Sequence, residues 1–183
     1  MLVEFEEKTQ SSNVIYQGRI INLKLDEVML PSGKKAKREI VEHPGAVGVV
    51  PISFEKKIVL VRQYRKPAGR VLLEIPAGKL EAGENPEVCA ARELMEEISC
   101  RANKLNFLLS FYTTPGFCNE MIYLYLAEGL SFTDAKPDPD EIIEVVNIPL
   151  DEAVAKVFSG EIVDAKTIIG IFLAKQVMVY EKN

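Results

Sequence analysis

The chain of 183 residues has a single histidine, three cysteines and no tryptophan. Cys89, Cys100 and Cys118 are odd in number and form no CxxC pair, which argues against both a disulfide framework and a zinc site. No apolar stretch approaches the ~18 residues that a membrane-spanning helix needs. A basic surplus is also missing. The formal net charge is −5 and the pI about 5.1, unlike a general nucleic-acid binder. An acidic chain that handles phosphates must therefore gather cations locally, as metal or as clustered arginine. The opening MLVEFEEKTQ lacks the basic and apolar regions of a signal peptide, so a reducing cytoplasm is the expected location, without a membrane partner. There is no low-complexity segment and no internal repeat. What is present, 48% hydrophobic and 27% charged residues, is the composition of a globular protein of one domain, or one domain with a small appendage.

The first ~45 residues are β-rich and too few to bury a core of their own. Residues 20–30 alternate apolar positions, Pro31-Ser32-Gly33-Lys34 is a turn signal, and residues 35–42 continue extended. This predicts a division into an N-terminal β segment, 1–45, and a main domain, 46–183. Residues 46–53 and 57–64 predict a hairpin about Phe54-Glu55-Lys56, and 71–75, 105–112, 121–127 and 142–148 predict further strands. Asn85 followed by Pro86 marks a helix start, because asparagine caps well and proline suits the first helical position. Val88, Ala91, Leu94, Met95 and Ile98 are expected to form its apolar face, opposite its glutamates. Two more helices are predicted near 151–159 and 164–179. Strands, a helix between strands and closing helices together predict a mixed sheet covered by helices, an α+β arrangement.

Glu93, Glu96 and Glu97 stand at i, i+3 and i+4 of the first helix, so they share one face. Like charges at that spacing repel by about 0.2–0.5 kcal/mol per pair. A hard divalent cation such as Mg²⁺, which takes oxygen ligands, would relieve this. A lone Glu-Glu pair is ordinarily a solvated helix face, but here the pair lies within a longer ordered string. Gly78 is followed after five residues by Glu84, then after seven by Arg92-Glu93-Leu94, one further position, and Glu96-Glu97.

That string resembles the signature of the Nudix hydrolases. One fixed position departs: Ser99 stands where the signature ends in glycine, at a helix end where a left-handed residue is common. The resemblance implies an α/β/α sandwich with a mixed sheet and hydrolysis of a nucleoside diphosphate linked to another moiety. It implies metal ligation, by Mg²⁺ or substituting Mn²⁺, at Glu93, Glu96, Glu97 and the carbonyl of Ala77. Glu96 and Glu97 would take part in catalysis, and Glu84 and Arg92 would orient the carboxylates beside the structural Gly78. Four further segments resemble the ADP-ribose pyrophosphatase branch. These are Glu42-His43-Pro44-Gly45-Ala46-Val47, Val61-Arg62-Gln63-Tyr64-Arg65, Glu74-Ile75-Pro76-Ala77-Gly78, and Pro115-Gly116-Phe117 with Glu120. The branch implies cleavage of ADP-ribose to AMP and ribose 5-phosphate by a homodimer whose N-terminal segment packs on the partner subunit. GDP- or ADP-hexoses are the alternative substrates. A non-catalytic ADP-ribose sensor is disfavoured by the intact carboxylates.

By the same resemblance Glu141 helps activate the attacking water, with Glu144 as the alternative; the bland reading of Asp138-Pro139-Asp140-Glu141 is a polar turn. Arg65 and Arg38 are candidates for phosphate or ribose contacts, since the arginine fork suits phosphate. Arg38 also fits a solvated hairpin edge together with Lys34, Lys35 and Lys37. Gly116, Phe117 and Glu120 complete the candidate substrate residues. Tyr16, Tyr64 and Phe117 could stack on adenine, although core packing is the commoner use of such rings. His43 is read as structural.

Overall fold

The structure is a computed structural model that describes residues 5–133 and 142–180. Ten strands and three α-helices are described. The chain divides into two units, one of Met1–Gly45 with Tyr112–Met121, the other of Ala46–Phe111 with Ile122–Asn183.

The first unit holds an antiparallel meander of β1 (Lys8–Gln17), β2 (Asn22–Met29) and β3 (Lys35–Glu42). All ten residues of β1 are exposed, including Val14, Ile15 and Tyr16 side by side. The Tyr112–Met121 loop is tied to the end of β3. The Val41 N–H donates to the Phe117 carbonyl at 2.7 Å and the Asn119 N–H to the Val41 carbonyl at 3.2 Å.

The second unit has two sheets. One follows the order β7 (Ala77–Lys79), β4 (Ala46–Pro51), β9 (Met121–Phe132), β8 (Cys100–Tyr112). It is mixed, since β4 runs parallel to β9 and antiparallel to β7. The other is antiparallel, β10 (Glu144–Pro149), β5 (Lys57–Arg65), β6 (Arg70–Glu74). Both β4 and β5 sort their side chains with the strand period of two. Val47 and Val49 of β4 and Val59 and Val61 of β5 pack with Cys89, Ala90, Leu94 and Ile98 of α1 (Pro86–Ile98). Val50 of β4 and Ile58 and Leu60 of β5 pack in a second cluster with residues of α2 (Leu150–Phe158) and α3 (Ala165–Tyr180). Helices thus cover both faces, the sandwich expected from the sequence. The approach of α3 is close: a Cβ on Gly170 would lie 2.7 Å from a Val50 methyl.

Two expectations need correction. The segments around Phe54-Glu55-Lys56 do not form a hairpin. A turn is present, with Lys56 at φ 59°, but after one bridge between Ile52 and Ile58 the strands part into different sheets. Every residue of β4 is buried, and its two neighbours are β7 and β9, which leaves no edge for β5. The second correction concerns α1. Its buried residues are Cys89, Ala90, Glu93, Leu94, Glu97 and Ile98, while Val88 is exposed. The glutamates are therefore not opposite the apolar face; two of them lie on it. Short β7 also escaped the sequence reading, and β8 begins earlier than expected.

Candidate active site

The turn into α1 is fixed by its own sequence. Asn85 caps the helix by accepting the Glu87 N–H at 2.8 Å, and Pro86 occupies the first turn. Upstream, Gly83 at φ +77° lets the loop fold back, so that the Glu81 N–H reaches Glu84 Oε2 at 2.9 Å. At the far end Ser99 takes the left-handed conformation, φ 51° and ψ 41°, and its N–H closes the helix on the carbonyls of Leu94 and Met95.

Arg92 organises the carboxylates. Its Nε and Nη2 donate to the two oxygens of Glu84 at 3.0 and 3.1 Å. Its Nη1 donates to Glu93 Oε1 at 2.6 Å and to Glu96 Oε2 at 2.8 Å. The hydrogen bonds from Arg92, with help from the Glu81 N–H, hold the Glu84 carboxyl down at about 2. The same contacts, Glu84 first, raise the arginine's own value. Cys89 lies beneath this guanidinium, 3.2 Å from Nη2, and burial pushes its thiol up to about 12, so it stays protonated.

Gly78 explains how a glutamate lies against the loop. A Cβ there would sit 1.8 Å from Glu93 Oε1 and 1.9 Å from its Cδ. Only glycine leaves that space, and the demand is steric, because Gly78 is not among the residues with positive φ. One residue earlier, the Ala77 N–H donates to Glu97 Oε2 at 3.0 Å. Loop backbone and helix carboxylates are thus in direct contact.

Among the described residues no group of three or more His, Cys, Asp or Glu stands ready-spaced about a metal. Glu93 and Glu96 are drawn onto Arg92, and Glu97 onto Ala77. The donor set still suits a hard cation: carboxylate oxygens on one helix turn, with Arg92 facing three carboxylates and so leaving a surplus of negative charge. Glu93 and Glu97 are only 8% and 3% exposed, a depth at which surplus charge favours a counter-ion.

Arg65 lies in the same unit as this cluster. Its Nε and Nη2 grip both oxygens of Glu74 at 2.8 Å each, a bidentate fork. Hydrogen bonding to Glu74, opposed by burial, raises the value of Arg65, and the Glu97 charge adds to the effect. Glu74 is 1% exposed. Burial pushes its carboxyl up, but hydrogen bonds and charge from Arg65 and Lys166 outweigh this and hold it below the ordinary range. Sequence reasoning quoted Glu74 within a branch segment but gave it no role, and did not single out Lys166 or Thr167; a further signal was an acidic residue within the apolar run Leu72-Leu73-Glu74-Ile75.

Four of the remaining candidates belong to the first unit. Arg38 is in the first unit, its Nε and Nη2 donating to Glu7 at 2.8 and 2.6 Å. Gly116, Phe117 and Glu120 belong to that unit too. Phe117 is exposed and Gly116 has open space around it. Glu120 accepts the Thr113 hydroxyl at 2.7 Å. His43 Nδ1 accepts the Gly45 N–H at 3.1 Å, a structural use at the strand end. Glu141 lies outside the described residues. Glu144 is engaged on β10, accepting from Arg62 Nη1 at 2.8 Å.

Comparison with known proteins locates this geometry in a family. The NUDIX domain family matches residues 42–168, and the N-terminal domain family of nucleoside diphosphate sugar hydrolases matches residues 7–41. An ADP-ribose pyrophosphatase from Bacillus subtilis (strain 168) is 49% identical over 91% of each chain. A methanol dehydrogenase activator from Bacillus methanolicus is 48% identical over 91% of each. A crystal structure of an ADP compounds hydrolase shares the fold with a TM-score of 0.86, covering 98% of each chain at 20% identity.

Proposed function

The chain belongs to the Nudix family, and we propose that it is a Mg²⁺-dependent pyrophosphatase that hydrolyses ADP-ribose to AMP and ribose 5-phosphate. The observation that carries this reading is the contact of the Ala77–Gly78 backbone with Glu93 and Glu97, in a chain 49% identical to an ADP-ribose pyrophosphatase.

Glu93, Glu96, Glu97 and the Ala77 carbonyl would hold Mg²⁺, or Mn²⁺ in its place. Bound there, the cation neutralises pyrophosphate charge and favours ionisation of a water. The protein's own residues do the rest. Arg92, braced by Glu84, orients Glu93 and Glu96. The Ala77 N–H orients Glu97. Arg65 keeps Nε and Nη2 on Glu74 and turns its remaining edge to a substrate phosphate. Glu141 accepts a proton from the attacking water as its oxygen bonds to phosphorus and the bridging oxygen leaves. Glu144, committed to Arg62, is the weaker candidate for that base. Arg38, Gly116, Phe117 and Glu120 supply contacts to the nucleoside and sugar. The 1–45 segment serves a homodimer, a reading supported by the wholly exposed β1 with Val14, Ile15 and Tyr16. No described helix is long and apolar enough to cross a membrane, and a cytoplasmic, small-molecule role fits the acidic composition.

The test is a panel of ADP-ribose, ADP-hexoses and GDP-hexoses with Mg²⁺, scored by AMP or GMP release. ADP-ribose should lead in kcat/KM by at least about tenfold. No AMP from ADP-ribose would overturn the reading, and a GDP-hexose in the lead would transfer it to the alternative substrate.

A further inference from the structure

The run Glu74-Ile75-Pro76-Ala77-Gly78 connects β6 to β7, and side chains from two helices hold its backbone. From α1, Glu97 accepts the Ala77 N–H. From α3, Thr167 accepts the Ile75 N–H at Oγ1, at 2.8 Å and across 92 residues of sequence. Between them Pro76 has no N–H and a fixed φ, and its carbonyl accepts the Val49 N–H at 2.8 Å. The two amides thus stand on one stiff connection.

The Thr167 hydroxyl is fully buried and both accepts and donates a hydrogen bond. It accepts from Ile75 and donates to Asp164 Oδ2 at 2.6 Å, and Asp164 Oδ2 also receives the Thr167 N–H at 3.0 Å. Lys166 Nζ lies 3.0 Å from Asp164 Oδ2 and donates to Glu74 Oε2 at 2.5 Å, fastening the residue just before Ile75. Capping of α3 accounts for the Asp164 bond to its own helix. It does not account for the buried hydroxyl and the partly buried ammonium both reaching the strand end.

We propose that Thr167, backed by Asp164 and Lys166, is a positioning residue for Glu97: it sets the Ile75 amide, and through Pro76 the Ala77 amide that orients the carboxylate. The proposal rests on the reading of Glu97 as a metal ligand. It adds a determinant on α3, distant in sequence from the Gly78–Cys100 string.

Thr167→Val keeps the shape and removes the hydroxyl; Thr167→Ser restores it. Three readouts apply to the full chain: hydrogen exchange at the Ala77 amide, Mn²⁺ affinity without substrate, and the kcat and KM for ADP-ribose. Thr167→Val should speed Ala77 exchange about tenfold, weaken Mn²⁺ binding about tenfold and lower kcat about tenfold, with KM within about twofold. Thr167→Ser should recover all three. A Thr167→Val protein with reduced melting temperature but wild-type exchange, Mn²⁺ affinity and kcat would overturn the proposal, because a purely structural role moves only the melting temperature. If Thr167→Val does not fold, Asp164→Ala leaves the hydroxyl unsupported and is measured the same way. If the wild type itself releases no AMP and binds no Mn²⁺, the proposed function falls, and Ala77 exchange alone decides the coupling.

Discussion

Replacing Gly78 with alanine should separate activity from stability. The new Cβ would lie 1.8 Å from Glu93 Oε1 and 2.3 Å from Oε2. Ordinary contact begins at 3.4 Å, so the nearer oxygen must move by about 1.6 Å. The backbone does not resist the change, because Gly78 has no positive φ. At such a site alanine even gains roughly 0.4–1 kcal/mol by restricting the unfolded chain. Against this stands an off-rotamer Glu93, of order 0.5–1.5 kcal/mol, and a weakened charge-assisted bond to Arg92, about 1.5–3 kcal/mol at most. The net loss of stability is then about 1–4 kcal/mol, a fall in melting temperature of roughly 2–16 °C at this chain length. The catalytic loss should be larger. A misplacement of about 1 Å can cost ~10²-fold, so kcat for ADP-ribose should fall by at least that factor. The assay is AMP release at a temperature well below the variant's melting point, with saturating Mg²⁺.

A double variant tests the cause. If Gly78→Ala acts by displacing Glu93, then Gly78→Ala with Glu93→Ala should be no slower than Glu93→Ala alone, since groups acting as one unit do not add. Gly78→Ala with kcat within threefold of wild type would refute the steric argument, and full additivity of the two losses would refute the assignment to Glu93.

Ser99→Gly should stabilise the protein. A left-handed conformation costs a non-glycine residue about 1–2 kcal/mol, part of which returns as unfolded-chain entropy, so a gain of about 1 kcal/mol and roughly 2–4 °C in melting temperature is expected with unchanged kcat. Glu84→Gln should flatten the acid limb of stability. The folded carboxyl stands at about 2 against an ordinary 4.5, so the unfolded chain takes up the proton first; this contribution is present above pH 4.5 and is lost as pH falls toward 2. Acid titrations of the two proteins followed by circular dichroism should diverge in that window and run parallel above it. Glu141→Gln should lower kcat by about 10²–10⁴-fold without changing Mn²⁺ affinity, while Glu144→Gln, which loses only an exposed pair with Arg62, should retain near-normal turnover.

The parts of the site that were legible in the sequence are local ones. The Asn85-Pro86 cap, the left-handed Ser99 and the spacing of the glutamates all follow from rules that act within a few residues. Glu84 and Arg92, eight residues apart, are still within that reach. The network around Glu74 is not local. Its bond to Lys166, and the bond of Ile75 to Thr167, each cross 92 residues, and no short-range pattern identifies those partners. The parting of β4 and β5 was hidden for a related reason. The turn at Lys56 exists, and a turn between two apolar runs implies a hairpin. The implication fails because β9, more than seventy residues onward, takes the parallel position beside β4.

The misassigned face of α1 has a different physical origin. Amphipathic reasoning sends charge outward and apolar groups inward, because an unpaired buried carboxylate is costly. Glu93 and Glu97 break the rule at 8% and 3% exposure, and each has a specific partner that makes the burial tolerable: Arg92 for Glu93 and the Ala77 N–H for Glu97. Val88 takes the solvent in their place at 61% exposure. A helix selected for stability alone would exchange these roles. One that buries repelling carboxylates against a loop kept open by Gly78 accepts a local cost that packing does not require, and such conflicts between local rule and fold concentrate at functional sites. The failure of the amphipathic pattern is thus a second, independent mark on the same residues that the motif spacing identified, and it comes from burial rather than from resemblance.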